Sequence, residues 1–256
     1  RTKFDDWRSL SLSLYMTLVG YGVMVGIPVI STAWSEKLGY TAEQVGRVAG
    51  ADMGGLSLGA VIVALIISRF NRRHLVVVSI LITVIANYLC TIYQQYEIVL
   101  WLRVLSGLGN GIYTGVAVAA LGATIKPARA FNLMLFAFAF SQALEIRVLP
   151  QLTMNGIYWF FIGCVVLTLF FIHWVVPYKK TDEVQKEIIH IESEENKQIP
   201  TYILWLCMVS IFFAYVSIGA YWVYIELASF SYGISPAWTG EVLFWGSLLT
   251  LAGCGF

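Results

Sequence analysis

Ala64-Leu65-Ile66-Ile67-Ser68-Arg69-Phe70-Asn71-Arg72-Arg73 is an apolar run that ends in a short basic turn. Upstream, Val45–Ile67 is built almost wholly of apolar and small residues, and downstream Leu75–Tyr93 repeats that character. A hydrocarbon core of about 30 Å takes roughly 20 residues of helix, and each flank has that length. The two flanks read as neighbouring membrane helices. Arg69, Arg72 and Arg73 lie in the turn between them, as basic residues do on the cytoplasmic side of a membrane.

The whole chain has the same character. Of its 256 residues 59% are hydrophobic and 12% charged, with mean hydropathy +0.76. Soluble domains carry about twice that charge, and disorder needs low hydrophobicity with high net charge. Sixteen Lys and Arg against fifteen Asp and Glu leave +1, which gives no basic surface for nucleic acid. Cys90, Cys164, Cys207 and Cys254 each lie in an apolar run, as core residues rather than a disulfide or metal framework. His74, His173 and His190 sit at or outside the interfaces. Neither a nucleophile–base pair nor a metal-ligand cluster is visible, so no enzyme, metal or cofactor is expected.

The hydropathy pattern gives eight spans: Leu10–Ala33, Val45–Ile67, Leu75–Tyr93, Ile98–Ile125, Phe131–Leu152, Gly156–Val176, Tyr202–Leu227 and Trp238–Phe256. Leu10–Ala33 is too long for a cleavable signal. Alternate connections share one sign of charge. Arg1, Lys3 and Arg8 precede the first span, Lys126 and Arg129 follow the fourth, and Lys179, Lys180, Lys186 and Lys197 follow the sixth. Lys37 and Arg47 alone lie on the other side, which places the amino terminus in the cytoplasm. The segment 177–200 is the one long polar connection, and Glu187–Ile191 within it is expected to form a short surface helix. It divides a six-helix bundle (1–176) from two further helices (201–256). Six spans, a long loop and a new set is a two-bundle layout, so eight helices of an expected twelve are read here.

The basic turn resembles the signature loop of the major facilitator superfamily, Gly-x-Leu-Ala-Asp-Arg-x-Gly-Arg-Arg/Lys. Arg69, Arg72 and Arg73 match, while Ala64, Ser68 and Asn71 replace Gly, Asp and Gly. Asn tolerates positive φ, so Asn71 is expected to preserve the turn. Arg103-Val104-Leu105-Ser106-Gly107-Leu108-Gly109 is similar to the family's helix-four motif Arg-x-x-x-Gly-x-Gly, whose Arg is implicated in coupling in proton-driven members. The Gly- and Pro-rich helix-five motif of many antiporters is absent, because Leu133–Leu149 contains no Gly. The resemblance implies an all-α polytopic protein of the bacterial inner membrane. It implies a monomer that moves a small solute by alternating access, with a proton gradient in place of a cofactor and with lipid and solute as its partners. The other readings are a receptor or scaffold on the same fold and a multidrug or metabolite exporter.

Ionisable residues inside a span usually face a cavity or a partner. At 1.5 Å per residue, Asp52, Arg103, Glu145 and Arg147 share a layer ~8–10 Å below the outer helix ends. Two acids and two bases at one depth suggest an ion-pair network. Arg103, Gly107, Asn110, Gly111 and Thr114 share a small, polar helix face, as a pathway lining would. Glu145 has Ser141 and Gln142 on its face, with Arg147 about 200° away. Asp52, Arg103, Asn110, Gln142, Glu145 and Arg147, with Glu226 in the seventh span and Tyr15 and Tyr21 in the first, are the candidate solute and proton pathway. Static pairing between helices is the alternative. Gly46, Gly50 and Gly54, and Gly107, Gly111 and Gly115, recur every four residues and are expected to let helix backbones approach closely.

Overall fold

The computed structural model describes residues 3–177 and 200–254. Among these the regular structure is helical throughout. The first span is three helices, α1 (Trp7–Gly20), α2 (Gly22–Val25) and α3 (Ile27–Leu38), separated at Tyr21 and Gly26. Pro28 explains part of this segmentation, since it has no N–H to offer the preceding turn. α4 (Ala42–Ile66), α5 (Arg72–Ile92), α6 (Tyr96–Gly122), α7 (Pro127–Val148) and α8 (Met154–Phe170) complete the first bundle, and α9 (Thr201–Ser231) and α10 (Pro236–Cys254) follow. Five helical segments, starting at Ala42, Arg72, Tyr96, Pro127 and Tyr202, are each long and apolar enough to cross a membrane. The expected helix at Glu187–Ile191 and the bases Arg1, Lys179, Lys180, Lys186 and Lys197 lie outside the described residues.

The helix ends carry local signals. Thr41 and Gln44 form a reciprocal capping box on α4. α3 stops at Gly39, whose φ of 71° suits glycine. Asn71 does not take the positive φ expected of it. At φ −67° it caps α5 instead, its side chain accepting from the Arg73 N–H. A capping carboxamide therefore does the work expected of a glycine-like turn.

Contacts define the two ends of the bundle. At one end Trp7 packs edge-on against Trp174, Arg72 lies over the Phe4 ring, and Asp5 accepts from the Ile125 N–H. Arg73 donates to the carbonyls of His173 and Val175, at 2.7 and 2.9 Å. At the other end Lys37 donates to the Leu152 carbonyl and Tyr40 to that of Gln94. One apolar cluster, around Met16, Val76, Tyr113 and Val175, fills the arginine end, and a second, around Trp34, Val45, Ile157 and Tyr158, fills the other.

α4 and α6 meet backbone to backbone. A Cβ on Gly55 would strike the Val104 carbonyl, one on Gly59 the Leu108 carbonyl, one on Gly107 the Asp52 carbonyl and one on Gly111 the Leu56 carbonyl. Gly115 faces the Val63 side chain. The expected ladder in α4 needs correction, because Gly50 and Gly54 have open space beside them and Gly46 meets the Tyr224 hydroxyl of α9. The close approach uses Gly55 and Gly59, one helical step round from Gly54.

Candidate functional site

Between the two apolar clusters lies a buried polar layer. Arg103 donates to Asp52 at 2.8 Å and to the Asn87 amide oxygen at 2.9 Å. Asn87 in turn donates to the Ser106 hydroxyl and the Thr83 carbonyl. The Thr83 hydroxyl lies 3.4 Å from Asn110. Asp52 is 3% exposed and Arg103 1%, so each buried charge depends on the other. Thr83 and Asn87 escaped the sequence reading. Their signal was present, since Ser79, Thr83 and Asn87 recur every four residues in an otherwise apolar span.

The expected four-charge network is not formed. Arg147 is exposed, and Glu145 lies on another side of α7, accepting from Ser141 at 3.1 Å. Equal depth did not mean equal azimuth. The polar face of α6 is likewise a helix–helix contact, since Gly107 and Gly111 sit on α4 and Asn110 on α5.

A cleft of about 920 Å³ is lined by α2, α4, α7, α9 and α10. Its polar groups are Asp52, Ser57, Gln142, Tyr215, Trp222 and Ser247, set among Met24, Leu56, Phe138 and Phe212. Of the candidate pathway residues, Asp52 and Gln142 line this cleft. Tyr15 is turned to α8, donating to the Cys164 carbonyl, and the Tyr21 ring packs edge-on against Phe138. Arg103, Asn110 and Glu145 sit behind the cleft wall, buried within the bundle.

α9 joins the first span at the end away from the arginines. Trp222 donates to the Val25 carbonyl at 3.4 Å, and Thr32 donates to the buried Glu226 carboxylate at 2.6 Å. Glu226 forms part of a pocket of about 290 Å³ that also holds Glu36, Lys37, Arg147 and Glu241. Toward the arginine end, residues 204–216 of α9 are exposed.

The model of the Major Facilitator Superfamily matches residues 12–256. The chain belongs to the major facilitator superfamily. The "Putative transporter AraJ" of Escherichia coli (strain K12) is 28% identical over 123 residues, 48% of this chain and 31% of that protein. The chain thus aligns with about a third of that curated relative's length. As a superfamily member it is an integral, multi-pass membrane protein with the major facilitator fold. Its signature-loop arginines divide their roles. Arg69 is exposed, Arg72 is buried on Phe4, and Arg73 ties α5 to the turn after α8.

Proposed function

We propose that the protein is a secondary transporter. It carries a small organic solute with a polar or ionic group across the membrane by alternating access, driven by a proton gradient. The cleft carries this reading. It is lined by Gln142 and aromatic side chains, with the Arg103-bound Asp52 in its wall, and is closed at one end by Trp222–Val25 and Thr32–Glu226. By the positive-inside rule the arginine end is the cytoplasmic one. The family match and the resemblance to a transporter support the same reading. The division into a six-helix bundle, a cytoplasmic loop and a second bundle follows the same two-bundle plan. Lipid and solute are the partners, and the working unit is a monomer in the bacterial inner membrane.

The test uses the full-length protein in liposomes with a panel of radiolabelled sugars, amino acids and organic cations. Gradient-driven accumulation of one solute is expected, abolished by a protonophore and by cross-linking Thr32→Cys to Glu226→Cys. Accumulation that survives the protonophore removes proton coupling. Accumulation that survives the cross-link removes alternating access. A receptor on the same fold would bind a solute from this panel without accumulating it. The enclosed Arg103–Asp52–Asn87 network is the observation that favours that second reading.

A further inference from the structure

Glu145 is a buried acid with no cation paired to it among the described residues. It is 5% exposed, and its Oε1 accepts from Ser141. Its Oε2 has no hydrogen-bond partner among the described residues. The carboxyl group rests against the first span where that span is broken. A Cβ on Gly26 would collide with Oε2, and one on Gly22 would lie 3.4 Å from Oε1. Two glycines one helical turn apart therefore form the cradle, Gly22 as the first residue of the short helix α2 and Gly26 directly after its end. The Phe161 ring and Leu149 close its sides.

Among the described residues, the groups around this acid offer it no counter-charge. On its own helix, Arg147 is exposed and lines the Glu226 pocket. On α6, Arg103 is committed to Asp52 and Asn87. On α8 the Cys164 thiol is the ionisable group close enough to interact with it. On the first span, Tyr15 is committed to the Cys164 carbonyl and the Tyr21 ring to Phe138. α10, which also packs on α7, has Glu241 as its charged residue, placed in the Glu226 pocket.

An unpaired carboxylate is costly in such surroundings, so the form that fits the cradle is the neutral acid. We propose that Glu145 is a proton-binding site whose occupancy sets the bend of the first membrane helix. Protonated, the carboxyl lies in the Gly22–Gly26 cradle and α1, α2 and α3 hold the arrangement described. On release the O–H bond breaks, its electron pair stays on the carboxylate and the proton passes to water. The carboxylate must then reach solvent or a cation. α2 is a single helical turn between two breaks in the first span, and a helix so short has little stability of its own. This deepens the transporter reading and rests on it for the direction of proton movement, though not for proton binding itself.

Hydrogen–deuterium exchange of residues 21–30 tests it, on the full-length protein in lipid nanodiscs at acid and alkaline pH, corrected for the intrinsic chemical rate. In the wild type, exchange is expected to rise about tenfold from acid to alkaline pH, as a local opening would give. Glu145→Gln should exchange slowly at both. Gly26→Ala, which displaces the carboxyl group, should exchange fast even in acid. A wild type without pH response, or a Glu145→Gln protein that keeps it, overturns the proposal. If Glu145→Gln fails to fold, Gly26→Ala decides: exchange equal to wild type in acid refutes the cradle. The readout needs no solute, so loss of transport and loss of this switch are separately observable.

Discussion

Asp52 and Glu145 are the same kind of group in the same kind of place, and the structure treats them oppositely. Both are buried within the first bundle, at 3% and 5% exposure. Asp52 keeps its charge by meeting Arg103 at 2.8 Å, and Asn87 and Ser106 support that arginine from α5 and α6. Glu145 meets a serine, two glycines and a phenyl ring. A membrane interior tolerates a carboxyl group either by pairing it or by neutralising it. The first route fixes helices together. The second leaves a group that a change in proton occupancy can move.

The largest expected effect comes from unpairing the first site. Arg103→Ala leaves a lone buried carboxylate and should cost about 3–5 kcal/mol in thermal unfolding of the detergent-solubilised protein. Replacing both partners, with Asp52→Asn added to Arg103→Gln, should recover more than half of that loss. A loss no greater than that of the exposed Arg47→Ala would mean that the pair does not hold the bundle. Next in size is crowding of the second site. Gly26→Ala should cost about 1–3 kcal/mol, as overpacking does, whereas Gly50→Ala, with open space beside it, should be neutral. The smallest effect sharpens the contrast most. Glu145→Gln keeps a neutral group of the same shape and should change stability by less than about 1 kcal/mol. A cost matching that of Arg103→Ala would show that the two acids are held alike.

The order of spans and the basic turn were readable because hydropathy and arginine placement are properties of the sequence itself. Azimuth was not. Asp52, Arg103, Glu145 and Arg147 share a depth, but which of them meet depends on how α4, α6 and α7 are rotated against their neighbours. The same limit misplaced the glycine seam. A period of four marks Gly46, Gly50 and Gly54 as clearly as Gly55 and Gly59, and the partner helix decides between them. Asn71 was expected as a positive-φ residue because the family's glycine stands there, yet a carboxamide cap serves the turn at ordinary φ. Thr83 and Asn87 lacked charge and passed as ordinary polar residues, although their spacing marked a face.

The seam between α4 and α6 also bears on how the molecule can move. With no side-chain layer between the backbones at Gly55, Gly59, Gly107 and Gly111, nothing there can yield by changing rotamer. The two helices behave as one stave, and the Asp52–Arg103 pair is a rivet through it rather than a latch. Under the alternating-access proposal, movement that widens or shuts the cleft would fall at the stave's edges. On one edge stands α9, touching α4 where Tyr224 donates to the Ala42 carbonyl and rests on Gly46. That contact stands at the same end as Trp222–Val25 and Thr32–Glu226, so α9 is held to the stave at the end away from the arginines.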